Sequence, residues 1–416
     1  MIKNHDELHE ECGVVAIWGD DNAAQLTYYG LHSLQHRGQE AAGIVVRNKS
    51  RKLNIHKGEG LVSEVFNKEK IEKLSGNAAI GHVRYSTAGG GGIMNVQPFL
   101  FRTLDGMMGI AHNGNIVNAN LLKKELEENG SIFNSTSDTE VLGHLIKRET
   151  GRFVDRICKS LEKIDGAFAF VILVEDALYV ARDRYGLRPL SMGRLPSGGY
   201  MFSSETCALD IAGAEYVRDV EPGEIIRVKD GIIKSKKYTE ALPICNKLCA
   251  MEYIYFSRPD SNLDGINVHT ARKTCGKTLF EEAPVEADLV IGVPDSSISA
   301  AIGYSEASGI PYEMGLIKNK YVGRTFIQPT QEMRERGVRM KLSAVSSIVK
   351  GKRVIMIDDS IVRGTTSKRI VKLLKEAGAT EVHVRIASPA IKFPCFYGVD
   401  ISTCLLYTSD AADDLT

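Results

Sequence analysis

At 416 residues the chain is too long for one ordinary core and predicts about two to three domains. Hydrophobic residues at 43% and charged ones at 25% describe a soluble globular protein, and 52 basic against 52 acidic residues exclude the global positive field that nucleic acid or an anionic membrane would require. The longest clearly apolar run, AFAFVILV at 167–174, is too short to span a bilayer, and the leader MIKNHDELHEE lacks the apolar core of a secretory signal. A cytoplasmic protein is expected, and its eight scattered cysteines point to reduced thiols rather than a disulfide framework.

Cys12 opens the first strand pattern, CGVVAIWG, directly after the polar leader. Removal of residues 1–11 as a propeptide would make Cys12 the first residue, its own α-amine, of pKa about 8, then serving as the base. An early cysteine also reads as a small buried hydrophobe, so its neighbours must decide. Residues 23–36 have helical spacing through Ala24, Leu26, Tyr28, Leu31 and Leu34, and Gly38 turns the chain into a second strand. GHVRYSTAGGGG at 81–92 reads as strand then glycine loop. MMGIAHNGNIV at 107–117 reads as two strand halves about Asn113-Gly114, a hairpin dipeptide. Asp138 lies among polar caps for the helix that follows, and hairpins turn at Glu175-Asp176 and Pro196–Gly199. This half is rich in β-structure that pairs locally.

Residues 228–249 look like a link between domains, and MEYIYF at 251–256 is strand-like. From 285 to 390 strands and helices alternate, which predicts a parallel sheet covered on both faces. Leu289–Val293 is the first such strand, and Ser296 in the loop after it reads as a helix cap or an anion ligand. Residues 317–342 carry seven cations against two carboxylates, net +5, the pattern of a solvated loop or of a lid over a polyanion. VIMIDDSIVRGTTS at 354–367 runs from a buried strand through two acids into a small polar loop and a helix start. At a strand end the acids suit a diol, and the loop suits a phosphate at a helix N-terminus. The same string also fits an ordinary capped turn.

The motifs taken together carry resemblances. IDDSIVRGTT resembles the signature of type I phosphoribosyltransferases, which use phosphoribosyl pyrophosphate (PRPP). Cys12-Gly13-Val14-Val15, LQHRGQE, GHVRYST, HNGN, SDTE and RDRYGLRPL follow the order found in the N-terminal nucleophile glutamine amidotransferases. The pair resembles the glutamine PRPP amidotransferases. The resemblance implies an α+β N-terminal nucleophile hydrolase fold, an αββα sandwich, over 12–240, followed by an α/β type I phosphoribosyltransferase fold with a parallel sheet over 241–403.

It further implies Cys12 as nucleophile, Asn113 and the Gly114 N–H as oxyanion hole, Arg84 on the glutamine α-carboxylate and Asp138 on its α-ammonium. Asp358, Asp359, Ser360, Arg363, Gly364, Thr365, Thr366 and Ser367 would bind PRPP, with Ser296, Asp358 and Asp359 around Mg2+. The activity implied is glutamine hydrolysis feeding ammonia to C1 of PRPP. This gives 5-phosphoribosylamine, pyrophosphate and glutamate, the first step of de novo purine (IMP) synthesis. Purine nucleotides as feedback inhibitors and a tetrameric or dimeric homo-oligomer are also implied. Cys249 and Cys395 match two of the four ligands of a [4Fe-4S] cluster, whose other pair belongs to a C-terminal segment of the family. The match stops near Thr403, so a C-terminal truncation is expected, with 404–416 a non-native tail. A hexosamine-forming amidotransferase would share the first half but lack IDDSIVRGTT, and a vestigial sensor would not need Cys12, Arg84, Asn113 and Asp138 together.

Overall fold

A computed structural model describes residues 12–85, 92–240, 242–319, 342–361, 364–391, 393 and 395–399. The leader 1–11, most of the basic loop, Arg363 and the tail 404–416 lie outside the described residues.

Val14, Val15, Ala16 and Ile17 are wholly buried on both sides of their strand, because Gly13–Trp18 is central in a sheet that is itself an inner layer. That seven-stranded sheet has the order Glu215–Asp219, Ser191–Arg194, Tyr200–Ser203, Gly13–Trp18, Ala78–Arg84, Ala41–Arg47 and Leu53–Glu59. A six-stranded sheet faces it, in the order Ile232–Lys237, Glu224–Lys229, Leu178–Arg182, Gly166–Val174, Gly106–Ile116 and Phe99–Thr103. Alternate strand residues divide between the inside and outside of this sandwich, as a two-residue side-chain period requires. Val14, Ala16 and Ile80 meet Ala111, Val171 and Val180 between the sheets. Val15, Ile17 and Val83 face outward beneath helices Ala23–Ser33 and Thr206–Ile211. On the far side Phe168, Phe170 and Ile172 pack under helices Ala119–Glu128, Thr139–Arg148 and Phe153–Lys163. The result is the expected αββα sandwich. Each fully buried Val, Leu, Ile or Phe in it contributes about 1.5–3 kcal/mol.

Three expectations are corrected. Asn113-Gly114 is not a hairpin turn: Gly106–Ile116 is one continuous strand, with Asn113 opposite Ala169 and Gly114 opposite Phe168. The glycine is there because a Cβ would stand 2.0 Å from the Ala167 carbonyl oxygen, at φ +146. The link is shorter than 228–249, since Val228, Lys229 and Ile232–Lys237 are strand residues of the second sheet. MEYIYF is no strand: Glu252–Phe256 is a π-helical turn.

In the second half Arg353–Asp358 is the middle of three parallel strands, between Leu289–Gly292 and Glu381–Ile386. Helices Val268–Glu282 and Ile298–Ser308 cover one face, through Tyr304 against Ile355 and Ile357. Helix Thr365–Glu376 covers the other, through Ile370 and Leu374 against Val354 and Met356. The described ends of the basic loop form a two-stranded antiparallel stem, Leu316–Lys318 with Leu342–Ala344.

Between the halves, residues 242–264 follow the first one closely. Cys245, Lys247 and Cys249 donate backbone N–H groups to the carbonyls of Arg184, Tyr185 and Leu187. Buried Arg182 forks onto Asp264 at 3.1 and 3.2 Å, and Asn262 N–H donates to Thr206 Oγ1 at 2.9 Å. No described helix is long and apolar enough to cross a membrane.

Candidate active sites

Cys12 stands at the mouth of the sandwich because Gly13 pairs with Val83, which sets it beside Arg84 and Tyr85 where those strands end. Its Sγ is half-buried and lies 3.5 Å from the Tyr85 carbonyl oxygen. Its own carbonyl accepts Arg37 Nε–H at 3.1 Å. Two residues on, Val14 N–H donates to Ser204 Oγ at 3.0 Å, and the same oxygen receives the Asn113 amide Nδ2 at 3.3 Å. One hydroxyl thus joins the nucleophile's strand to the amide expected to stabilise an oxyanion.

Arg84 is buried at its strand end, and Asp138, at the start of helix Thr139–Arg148, lies against strand Gly106–Ile116 of the opposite sheet. Asp138 does not cap its helix with its side chain: its carboxylate accepts Ile116 N–H at 2.8 Å and lies 3.8 Å from His112 Nδ1. Burial alone would raise its pKa, and the nearby His112 and the hydrogen bonds reverse this, so the carboxylate stays below its ordinary range. His82, wholly buried beside Arg84, is pushed down to about 3 by burial first and by that charge second. It is therefore neutral, and its Nε2–H donates to the His112 carbonyl at 3.0 Å, tying the two sheets together behind the site.

Beneath Cys12 lies a buried charge cluster. Arg37 donates from Nη1 to Glu205 at 2.7 Å and, from Nη1 and Nη2, to Glu252 at 2.9 and 2.8 Å. Glu205 also takes His36 Nε2 at 2.7 Å, Arg258 N–H at 2.9 Å and Ser261 Oγ at 2.7 Å. Burial drives both carboxylates up, but the facing cations and donors outweigh it and hold both well below the ordinary range. Arg37 belongs to the first half and Glu252 to the connecting segment 242–264.

The second site forms where Arg353–Asp358 ends. Asp358 and Asp359 are both buried. Ser297 and Ser367 hydroxyls donate to Asp358 at 3.3 and 3.5 Å, and Ser360 donates to Asp359 at 2.6 Å. Ser296, from the neighbouring strand's loop, hydrogen-bonds Asp359 directly. Burial and then the adjacent Asp359 charge push Asp358 up from the ordinary carboxylate range; burial also raises Asp359. Gly364 opens the following helix at φ 72, and Thr366 and Ser367 lie in its first turn. Arg272 hydrogen-bonds the carbonyls of Tyr253 and Ser257 at 2.6 and 2.8 Å, and its charge favours ionised Asp359.

Two buried carboxylates and a hydroxyl make an oxygen donor set of the type Mg2+ takes. Cys249 and Cys395 both pack against one small cluster of Met251, Phe256 and Val399. A cubane needs four ligands, and among the described residues no group of three or more His, Cys, Asp or Glu side chains is placed to hold a metal ion. The described residues alone therefore do not fit a [4Fe-4S] cluster.

Of the residues singled out from sequence, Cys12, Arg84, Asn113, Gly114 and Asp138 all lie in the αββα sandwich, and Ser296, Asp358, Asp359 and Ser367 are linked by hydrogen bonds where Arg353–Asp358 ends. Sequence reasoning did not single out Arg37, Ser204, Glu205, Glu252 and Arg272. Arg37 lies inside the quoted LQHRGQE string, and Glu252 is an acid within an otherwise apolar run, a signal of a paired buried charge.

Comparison with known proteins bears on this arrangement. Residues 88–210 match a glutamine amidotransferase domain and residues 270–389 a phosphoribosyl transferase domain. The amidophosphoribosyltransferase of Bacillus subtilis (strain 168) is 62% identical over 406 residues, covering 97% of this chain and 84% of the relative. The chain belongs to the amidophosphoribosyltransferase family. The amidophosphoribosyltransferase of Staphylococcus aureus (strain Mu50) is 56% identical over 402 residues, 96% of this chain and 81% of its own. The solved glutamine PRPP amidotransferase of B. subtilis, complexed with ADP and GMP, superposes with a TM-score of 0.91 at 58% identity, covering 97% of this chain and 89% of that one. As a family member the chain is a glutamine-dependent transferase that aminates PRPP in purine biosynthesis.

Proposed function

We propose that Cys12 hydrolyses glutamine and that the ammonia released attacks C1 of PRPP held by the second site. The observation that carries this is the Ser204 hydroxyl, within hydrogen-bonding distance of both Val14 N–H and the Asn113 amide, which keeps nucleophile and oxyanion donor in register. Removal of residues 1–11 frees the Cys12 α-amine to take the thiol proton. Attack on the glutamine amide places negative charge on its oxygen, which Asn113 and the Gly114 N–H receive; ammonia leaves, and water releases glutamate from the thioester. Arg84 holds the substrate carboxylate and Asp138 its ammonium, the latter supported by Asp138's depressed pKa.

In the second site Asp358 and Asp359 take the ribose hydroxyls. Ser360 to Ser367, with Arg363, Gly364, Thr365 and Thr366, cradles the 5′-phosphate at the N-terminus of its helix. Ser296, Asp358 and Asp359 are the residues that would hold Mg2+, which when bound neutralises charge on the departing pyrophosphate. Raised carboxylate pKa values support a cation there, since two buried acids lack a full countercharge. Free ammonia would be protonated in neutral water, so direct packing of the halves through residues 242–264 serves the transfer. The ADP and GMP bound to the B. subtilis relative support purine nucleotides as effectors here. We assign a homo-oligomer, tetramer or dimer, on family grounds, and no step to a cluster at Cys249 and Cys395.

The test is Cys12→Ala. Glutamine-dependent product formation should vanish while ammonia-dependent formation persists, and mass spectrometry of the mature protein should find Cys12 first. Glutamine-dependent activity surviving in that variant would overturn the mechanism.

A further inference from the structure

We propose that Ser204 is a positioning residue for glutamine hydrolysis, orienting the Asn113 side chain so that its NH2 group faces the oxygen of the amide under attack. The inference rests on the assignment of Asn113 to the oxyanion hole. Ser204 has no exposed surface and sits one residue beyond the strand Tyr200–Ser203. It grips Val14 from both sides: its N–H donates to the Val14 carbonyl at 3.0 Å, and its Oγ accepts Val14 N–H at 3.0 Å. Through Val14 it fixes the strand that carries Cys12.

Its contact with Asn113 is chemically incomplete as it stands. Asn113 Nδ2 donates to Ser204 Oγ at 3.3 Å, so that oxygen accepts twice. Asn113 is fully buried, and its Oδ1 has no hydrogen-bond partner among the described residues. A carboxamide has nearly the same shape when turned over, and its O and N exchange places. Turned, Asn113 Oδ1 accepts the Ser204 hydroxyl proton while Ser204 Oγ continues to accept Val14 N–H. Val14 N–H, the Ser204 hydroxyl and Asn113 Oδ1 are then all paired, and Nδ2, buried where no protein acceptor among the described residues meets it, keeps both protons for the oxygen of a bound amide. Unpaired buried acceptors are disfavoured, so Ser204 selects the orientation in which Asn113 is a donor to substrate. The next residue, Gly114, cannot compensate by shifting, because its backbone packs against the Ala167 carbonyl.

The experiment compares glutamine hydrolysis and ammonia-dependent PRPP amination in the full chain for Ser204→Ala, Ser204→Cys, Asn113→Ala and the Ser204→Ala/Asn113→Ala pair. Loss of one oxyanion donor costs about 10²–10³ in kcat, and Ser204→Ala should lose about 10- to 100-fold in kcat for glutamine. Its KM for glutamine and its ammonia-dependent rate should stay within about twofold, and the double variant should be no slower than Asn113→Ala alone. Ser204→Cys, close in size with a weaker donor, should fall between wild type and alanine, and it provides the test if the alanine variant does not fold. Wild-type kcat in Ser204→Ala with Asn113→Ala impaired, losses that add in the pair, or a parallel fall in ammonia-dependent activity would each overturn the proposal. Wild-type kcat in Asn113→Ala would instead overturn the oxyanion assignment on which it rests.

Discussion

Arg37 and Glu252 lie 215 residues apart in sequence and are joined by two hydrogen bonds, at 2.9 and 2.8 Å, in a region without solvent. Because Arg37 Nε also holds the Cys12 carbonyl, the backbone of Cys12 is anchored through a carboxylate of the connecting segment 242–264.

Glu252→Ala should be costly. It would remove the carboxylate that Arg37 and Arg188, both buried, face at 2.8 and 3.7 Å, and breaking a buried pair costs about 3–5 kcal/mol. A clear fall in the thermal midpoint, with weaker glutamine hydrolysis, is expected in calorimetry and steady-state assays. An unchanged midpoint would show that the cluster does not bear on stability.

Gly114→Ala should damage the first site and spare the second. The new methyl would meet the Ala167 oxygen at 2.0 Å, so the strand must shift at the N–H proposed for the oxyanion hole. Glutamine hydrolysis should fall by about 100-fold or more, with ammonia-dependent amination within a few-fold of wild type. Equal loss of both rates would point to misfolding instead.

Asp359→Asn should do the reverse. Asp359 hydrogen-bonds Ser296 and Ser360, so its loss removes the carboxylate that joins the two loops of the PRPP site. Amination should drop by about 10- to 100-fold with either nitrogen source, while hydrolysis of glutamine without PRPP is retained. Parallel assays of glutamate and pyrophosphate release check this.

Glu140 predicts an acid-sensitive contribution to stability. Burial favours its neutral form, but His144, Ser135 and the N–H groups of Asn134 and Ser135 outweigh that and bring it down to about 2. Its unfolded pKa is about 4.3, so the unfolded chain binds the proton more readily. The contribution is complete above about 4.3 and lost as the pH falls toward 2. Glu140→Gln should therefore be destabilising at pH 7 and progressively less so below about 4.3, read as the difference in denaturant midpoint from wild type. A difference independent of pH would contradict the assignment.

Motif order and hydrophobic period made most of the architecture legible in the sequence. Residues 23–36 read as a helix, 166–183 and 188–204 as hairpins, and 354–378 as strand, loop and helix, because each pattern is local and its turn residues are adjacent. Where local signals misled, a distant partner had overridden them. Asn113-Gly114 has the composition of a turn, yet the glycine answers to the Ala167 carbonyl across the sheet. Asp138 looks like a helix cap, yet its carboxylate serves Ile116 N–H.

By itself, then, the sequence determined the two half-folds and singled out Cys12, Asp358 and Asp359 as the groups proposed to react, since they stand in contiguous strings whose motifs carry the family resemblance. Only the tertiary structure decided what holds those groups in place. Ser204 meets Asn113, and Glu252 meets Arg37, because sheet pairing and the packing of residues 242–264 close loops of 91 and 215 residues. Hydrogen bonds across such separations leave no period in the chain, and their geometry exists only once both cores have formed.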